Sequence, residues 1–205
     1  GTGPREAMIG QMPSFSPDGQ HLTFSQSGVT IANRDWQVEK QIAAQAWGCQ
    51  WSPDGRSIAF YANDRLMVLD VESEQTREVV GGEVNPFNGI FWNLTWSPDS
   101  RHICFKATTP QGQEQIVLVD AAGAELGLRV RHIGTGMNAD FAWRPQGDRI
   151  VFSMFCPERG RSQLYQFDPA GEDSPVLIPG QDQTSNNTDA CWTPDGRQLI
   201  VVVGD

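Results

Sequence analysis

Phe15-Ser16-Pro17-Asp18-Gly19, Trp51-Ser52-Pro53-Asp54-Gly55, Trp96-Ser97-Pro98-Asp99-Ser100, Trp143-Arg144-Pro145-Gln146-Gly147 and Trp192-Thr193-Pro194-Asp195-Gly196 are five versions of one pattern. Their prolines stand 36, 45, 47 and 49 residues apart. A period of this size marks repeat architectures, in which each unit is one supersecondary element that cannot bury its core alone. In each copy proline presets φ for a turn, aspartate can accept backbone N–H bonds, and glycine takes a positive φ at little cost. The aspartates are therefore read as turn caps. Ser100 stands where the pattern has Gly and Gln146 where it has Asp, which predicts slightly weaker turns there.

Counting from each motif proline extends the pattern. Position +5 holds Leu22, Ile58, Ile103, Ile150 and Leu199, and position +7 holds Phe24, Phe60, Phe105, Phe152 and Val201. Between them, +6 holds Thr23, Ala59, Cys104, Val151 and Ile200. In a strand, +5 and +7 share one face and +6 points to the other. Both faces are largely apolar, which predicts sheets covered on both sides. The segment ending in the motif aromatic is a first strand, and +5 to +7 lie in a second. A third follows at Val29–Ile31, Leu66–Leu69, Ile116–Val119 and Leu164–Phe167. A fourth, shorter and more polar, lies near Gln41-Ile42, Arg77–Val80, Leu128–Val130 and Pro175–Ile178, as suits an outer edge. Each repeat thus reads as a four-stranded antiparallel meander, and no convincing amphipathic helix is present.

These repeats resemble those of TolB-like β-propellers, relatives of WD-repeat blades whose signature is W-S-P-D-G followed by an I-A-F-type strand. Residues 11–203 carry the resemblance, although the WD dipeptide and Gly-His of true WD repeats are absent. It implies an all-β propeller of four-stranded antiparallel blades forming a single domain, and a periplasmic or extracytoplasmic location. About four complete blades are expected, near 11–45, 46–83, 90–133 and 138–179, with partial blades at both ends. Arg5–Ile9 reads as the outer strand of a preceding blade, and 187–203 as the first two strands of a fifth. Such a chain is expected to be an excerpt of a longer propeller or, less favoured, to self-associate and complete the ring with a second copy.

Composition narrows the function classes. The chain has 205 residues and a formal net charge of −10, against the basic surfaces that nucleic acid and anionic membranes require. Its apolar runs are strand-sized, so no membrane insertion is expected. No secretory leader is read at the start, so the piece is expected to be mature, truncated or cytosolic. Cys49, Cys104, Cys156 and Cys191 form no C-x-x-C pair and have no histidine at zinc-ligand spacing, so they read as small hydrophobes and leave the compartment open. A Cys156–Cys191 bridge has nothing in the sequence to support it.

Strand order sorts the connections onto two faces of the ring. First-to-second and third-to-fourth turns are short and uniform. On the opposite face lie the irregular segments 84–92, 134–140 and 181–189, together with 107–115 and 154–163. Variable loops on a regular scaffold are where binding usually resides. This loop face would gather Trp47, Phe87, Phe91, Trp92, Met137, Phe155, Arg159 and Arg161, a mixture of aromatics and arginines that suits a protein or peptide partner. The alternative is that these side chains pack the loops against the ring.

Position −5, at the start of each innermost strand, holds Met12, Gly48, Asn93, Asp140 and Asp189. By the resemblance this end lines the central channel. Asn93, Asp140 and Asp189, with Asn138 and Asn187 nearby, form a candidate oxygen-rich ring for Ca²⁺, or else simply solvated polar groups. His21 and His102 occupy equivalent +4 positions on different blades and cannot share a metal. Related sugar-acid lyases use a histidine cluster that this chain lacks. There is no G-x-S-x-G elbow, P-loop or dinucleotide fingerprint, and the sequons at Asn93 and Asn186 match by pattern only. The expectation is a non-enzymatic scaffold without a required cofactor. The alternatives are an accessory propeller of a prolyl-oligopeptidase-type hydrolase and an ion-dependent lyase-like propeller.

Overall fold

The computed structural model describes residues 10–82 and 85–204, with the backbone alone for Trp92 and Leu126. Arg5–Ile9, read above as an outer strand, lie outside the described residues. The described residues form four antiparallel sheets of four strands and a fifth of two. The first contains β1 (Gln11–Phe15), β2 (His21–Ser25), β3 (Gly28–Asn33) and β4 (Val38–Ala44). The second contains β5 (Ala46–Trp51), β6 (Ser57–Ala62), β7 (Arg65–Asp70) and β8 (Thr76–Val80). The third contains β9 (Gly89–Trp96), β10 (His102–Thr108), β11 (Glu114–Asp120) and β12 (Leu128–Gly134). The fourth contains β13 (Ala142–Trp143), β14 (Ile150–Cys156), β15 (Arg161–Phe167) and β16 (Val176–Leu177), and the fifth β17 (Asn186–Trp192) and β18 (Leu199–Gly204). Within each sheet the strands pair in chain order. Among the described residues there is no α-helix, and none long and apolar enough to cross a membrane; Ala124–Leu126 make a 3-10 turn.

The first strands of successive sheets touch one another: β1 meets β5, β5 meets β9, β9 meets β13 and β13 meets β17. The sheets therefore stack around a common inner edge, and every interface between them uses the same code. The +5 and +7 side chains of one sheet pack on the preceding sheet, while its +6 side chain packs on the next. Ile103 and Phe105 meet Ala59 of the second sheet. Ile150 and Phe152 meet Cys104 of the third, and Leu199 and Val201 meet Val151 of the fourth. Ile58 and Phe60 pack with Val29, Ile31 and Ile42 of the first sheet. The +6 residues Thr23, Ala59, Cys104 and Val151 are all 0% exposed, whereas Ile200 in the fifth sheet is 62% exposed.

The turns of the motif are held by side chains as well as by proline. The Ser or Thr before the proline donates to the aspartate after it at 2.5–2.6 Å in Ser16–Asp18, Ser52–Asp54, Ser97–Asp99 and Thr193–Asp195. The same aspartate accepts the N–H two residues on. These bonds hold the carboxylates below their usual range, through Ser16 and then Gln20 at Asp18, and through Thr193 and then Arg197 at Asp195. At Asp54 and Asp99 partial desolvation works the other way, and the hydrogen bonds still prevail.

The two departures from the pattern tie neighbouring turns together. Ser100 takes a left-handed φ of 61°, where the other copies have glycine. Its hydroxyl accepts the Asp54 N–H of the adjacent turn at 3.1 Å. Gln146 donates to the Asp195 carbonyl at 3.0 Å. All four cysteines are free thiols, and burial pushes those of Cys49 and Cys104 up.

The stacking code makes position matter more than residue type. Phe152→Ala is expected to cost about 3–5 kcal/mol in urea unfolding. Ile200→Ala, a large aliphatic on an uncovered face, is expected to change stability by no more than about 0.5 kcal/mol.

Candidate functional site

The inner-strand ends are shaped by a recurring irregularity. Pairing between first and second strands slips between Gln11 and Ser14, between Trp47 and Gln50, between Ile90 and Leu94, and between Thr188 and Cys191. Each slip falls at position −5. Met12, Gly48 and Asp189 there have φ of 53°, 66° and 47°, so the strand bulges into the left-handed region. Bulges at strand ends re-aim side chains, and these open a cavity of about 250 Å³ whose lining includes Met12, Cys49, Asn93 and Asp140.

Asn93 and Asp140 line one cavity, while Asp189 is exposed outside its lining. The Asp140 carboxylate is already engaged. One oxygen accepts the Ser153 N–H at 3.0 Å, and the other accepts the Ser153 hydroxyl at 2.6 Å and the Asp189 N–H at 2.8 Å. It fastens the inner edge of the fourth sheet to β14 and to the fifth sheet, beside a β13 of only two residues. Asn138 donates to the Ser153 hydroxyl, and buried Asn187 to the carbonyls of Asp182 and Ser185. Among the described residues no three His, Cys, Asp or Glu side chains form a metal-binding group.

On the loop face the candidate side chains divide. Phe87 is buried and meets Phe105 edge-on, with ring centroids 6.0 Å apart. Met137 is buried and bridges to Met154. Both pack loops onto sheets. Phe91 is half-buried beneath the Lys106 ammonium, 4.5 Å from its ring centroid. The Trp92 side chain lies outside the described residues. Trp47 is 38% exposed and stands opposite Tyr61 across the strand pair. Burial and then the Asp64 carboxylate push the Tyr61 hydroxyl up to about 12. Phe155 is 46% exposed, and its N–H donates to Gly136 across the loop.

Arg159 donates to Gln163 at 2.6 Å. Buried Gln163 in turn donates to the carbonyls of Ser162, Asp182 and Ser185, fixing the segment that leads to β17. Arg161 is half-buried near the Asp182 carboxylate, which the Thr184 N–H and then the Thr184 and Ser185 hydroxyls hold low.

Two features escaped the sequence reading. Lys106 is buried, paired with Glu114 at 2.6 Å, and donates to the Met137 carbonyl, while Glu114 accepts the Met137 N–H at 3.1 Å. This closed network clamps the loop between the third and fourth sheets. Its only sequence signal is a lysine at +8 of an otherwise apolar strand. Phe15 and Trp36 are also exposed, on the short-turn side of the first sheet. His21 faces Glu39, His102 starts β10, and half-buried His132 lies 6.3 Å from Phe152, its pKa lowered by burial. They do not converge.

No family model and no curated protein matches the sequence. Solved structures do match. TolB from Acinetobacter baumannii superposes over 92% of this chain at 17% identity with a TM-score of 0.64, and the chain spans 45% of its length. The propeller domain of the trilobed protease from Pyrococcus furiosus matches over 96% of this chain and 63% of its own, at 15% identity and a TM-score of 0.62. A chain in the nidogen/laminin complex matches over 96% of this chain and 73% of its own, at 12% identity and a TM-score of 0.66. The fold is therefore that of a β-propeller, similar to TolB.

Asp140→Ala removes an acceptor from three donors and is expected to cost about 1–3 kcal/mol in urea unfolding. Asp189→Asn, at an exposed carboxylate, is expected to stay within about 0.5 kcal/mol of the parent.

Proposed function

We propose that this chain is a non-enzymatic scaffold that takes a protein or peptide partner on its loop face, in a periplasmic or other extracytoplasmic compartment. The observation that carries the reading is the pair of exposed aromatics, Trp47 in β5 beside Tyr61 and Phe155 in β14, the latter bonded to Gly136 in the loop that the Lys106–Glu114 network holds through Met137. Aromatic anchors on a rigid support bind with little loss of conformational freedom. Arg159 and Arg161 add partly exposed charge at the same side. The likeness to TolB and to a chain in the nidogen/laminin complex supports protein binding, and the TolB likeness supports the compartment.

A second reading keeps the same face and makes it the gate of a hydrolase, which the likeness to a protease propeller favours. The ion-dependent reading has less behind it. Three of the roughly four lone-pair positions of Asp140 are filled by protein donors.

The test places a photo-crosslinking phenylalanine analogue at position 47 or 155, and at exposed position 197 on the short-turn face of the fifth sheet as control, in native cell extract. The scaffold reading expects one and the same adduct from 47 and 155 and none from 197. Equal labelling from all three positions, or none from 47 and 155, contradicts it. In the same preparations, peptide cleavage favours the hydrolase reading. A saturable, calcium-dependent rise of the unfolding midpoint that Asp140→Ala abolishes restores the ion reading.

A further inference from the structure

Three of the four boundaries between adjacent sheets are crossed by an arginine of the chain itself. Between the second and third sheets, Arg77 donates from Nε and Nη2 to the Ala121 carbonyl at 3.2 and 3.0 Å. Between the third and fourth, Arg131 donates to the Asp168 carbonyl at 3.1 Å with its guanidinium 5.6 Å from the Phe167 ring centroid. Between the fourth and fifth, Arg144 donates to the Gly196 carbonyl at 2.9 Å and lies over Trp192, 5.4 Å from its centroid. Each crossing makes a charge-assisted bond at the rim of the short-turn face, with a ring beside the guanidinium at Arg131 and Arg144.

Among the described residues, no such arginine crosses the boundary between the first and second sheets. Lys40 stands opposite Ile31 as Arg77 stands opposite Val68, each two residues before the Asn33 or Asp70 that ends the third strand. Lys40 turns instead to Glu74 at 2.5 Å. A groove of about 550 Å³ remains beneath the two Pro-Asp-Gly turns. Ile31, Ile42, Leu69 and Trp51 form its apolar part, and no arginine among the described residues lines it. Its charged lining is Asp18, Glu39, Asp54 and Glu74 against Lys40, with His21 beside Glu39 at 3.4 Å and its ring 6.2 Å from Trp51.

We propose that this groove binds an arginine side chain presented by an extended peptide partner. The guanidinium sits between Glu39 and Glu74, the aliphatic stem lies on Ile31, Ile42 and Leu69, and the Trp51 ring supplies the surface that Trp192 supplies to Arg144. Four carboxylates against one ammonium select a cation, and the apolar lining selects one with a long stem. A planar, always-charged guanidinium fits two carboxylates and a ring face better than an ammonium does. This site lies on the short-turn side, opposite the loop face, and stands whether or not that face binds a partner.

The test follows the backbone Gly55 and indole Trp51 N–H resonances of the full chain by NMR during titration with acetyl-Gly-Ile-Arg-Gly-amide. The comparison is the same peptide carrying neutral citrulline for arginine. The arginine peptide is expected to shift both resonances saturably in the millimolar range, with no effect from citrulline. Glu39→Gln and Glu74→Gln, both surface changes, are each expected to weaken binding about two- to fivefold while leaving the remaining spectrum intact. Equal binding of the citrulline peptide overturns the proposal. So do shifts that miss Gly55 and Trp51, or binding unchanged in both variants.

Discussion

The second, third and fourth sheets are covered on two faces by one repeated interaction: the +5 and +7 side chains of a sheet pressed onto the sheet before it, with +6 facing the sheet after. Burying a Phe or Ile in this way contributes about 1.5–3 kcal/mol relative to leaving it exposed. The arrangement fixes register, because a slip of one residue would exchange the two faces. It also fixes where irregularity is tolerated. The short turns are locked by Ser–Asp pairs and by cross-links from Ser100 and Gln146. Length and sequence vary mainly in the loops on the other side.

Those loops are held by polar groups as well as by inward-turned apolar side chains such as Phe87 and Met137. A buried lysine is costly unless paired and hydrogen-bonded, and Lys106 has both a carboxylate and a carbonyl. Asp140 and Gln163 each gather several partners in the same manner. Phe155, bonded to Gly136 in the loop that Lys106 and Glu114 hold, and Trp47, set in β5, stay exposed at the surface. Binding on such a face begins from a preorganised surface, which lowers the entropy lost on association.

The fold was legible because its determinants are local and repeated. Proline, aspartate and glycine announce each turn, and the alternation of Ile, Ala and Phe in copies such as Ile58-Ala59-Phe60 announces a doubly buried strand. The site was legible only in part. Whether a loop side chain such as Phe87 or Met137 points in or out depends on contacts distant in sequence, and both turn inward to the core. The bulges at position −5 were invisible, since Met12 and Asp189 adopt a left-handed conformation that tertiary packing imposes. The ties of Asp140 to Ser153 and Asp189, and the arginines that cross between sheets, likewise join residues that no local pattern connects.

Stability resides in the stacking of second and third strands between neighbouring sheets. Native-state amide hydrogen exchange, read strand by strand, tests it directly. The slowest exchange is expected in β6, β10 and β14 and their β7, β11 and β15 partners, with outer strands β4, β12 and β16 and the edge strand β18 opening well before them. Exchange in β10 as fast as in β12, or uniform protection across all four strands of a sheet, would contradict the account.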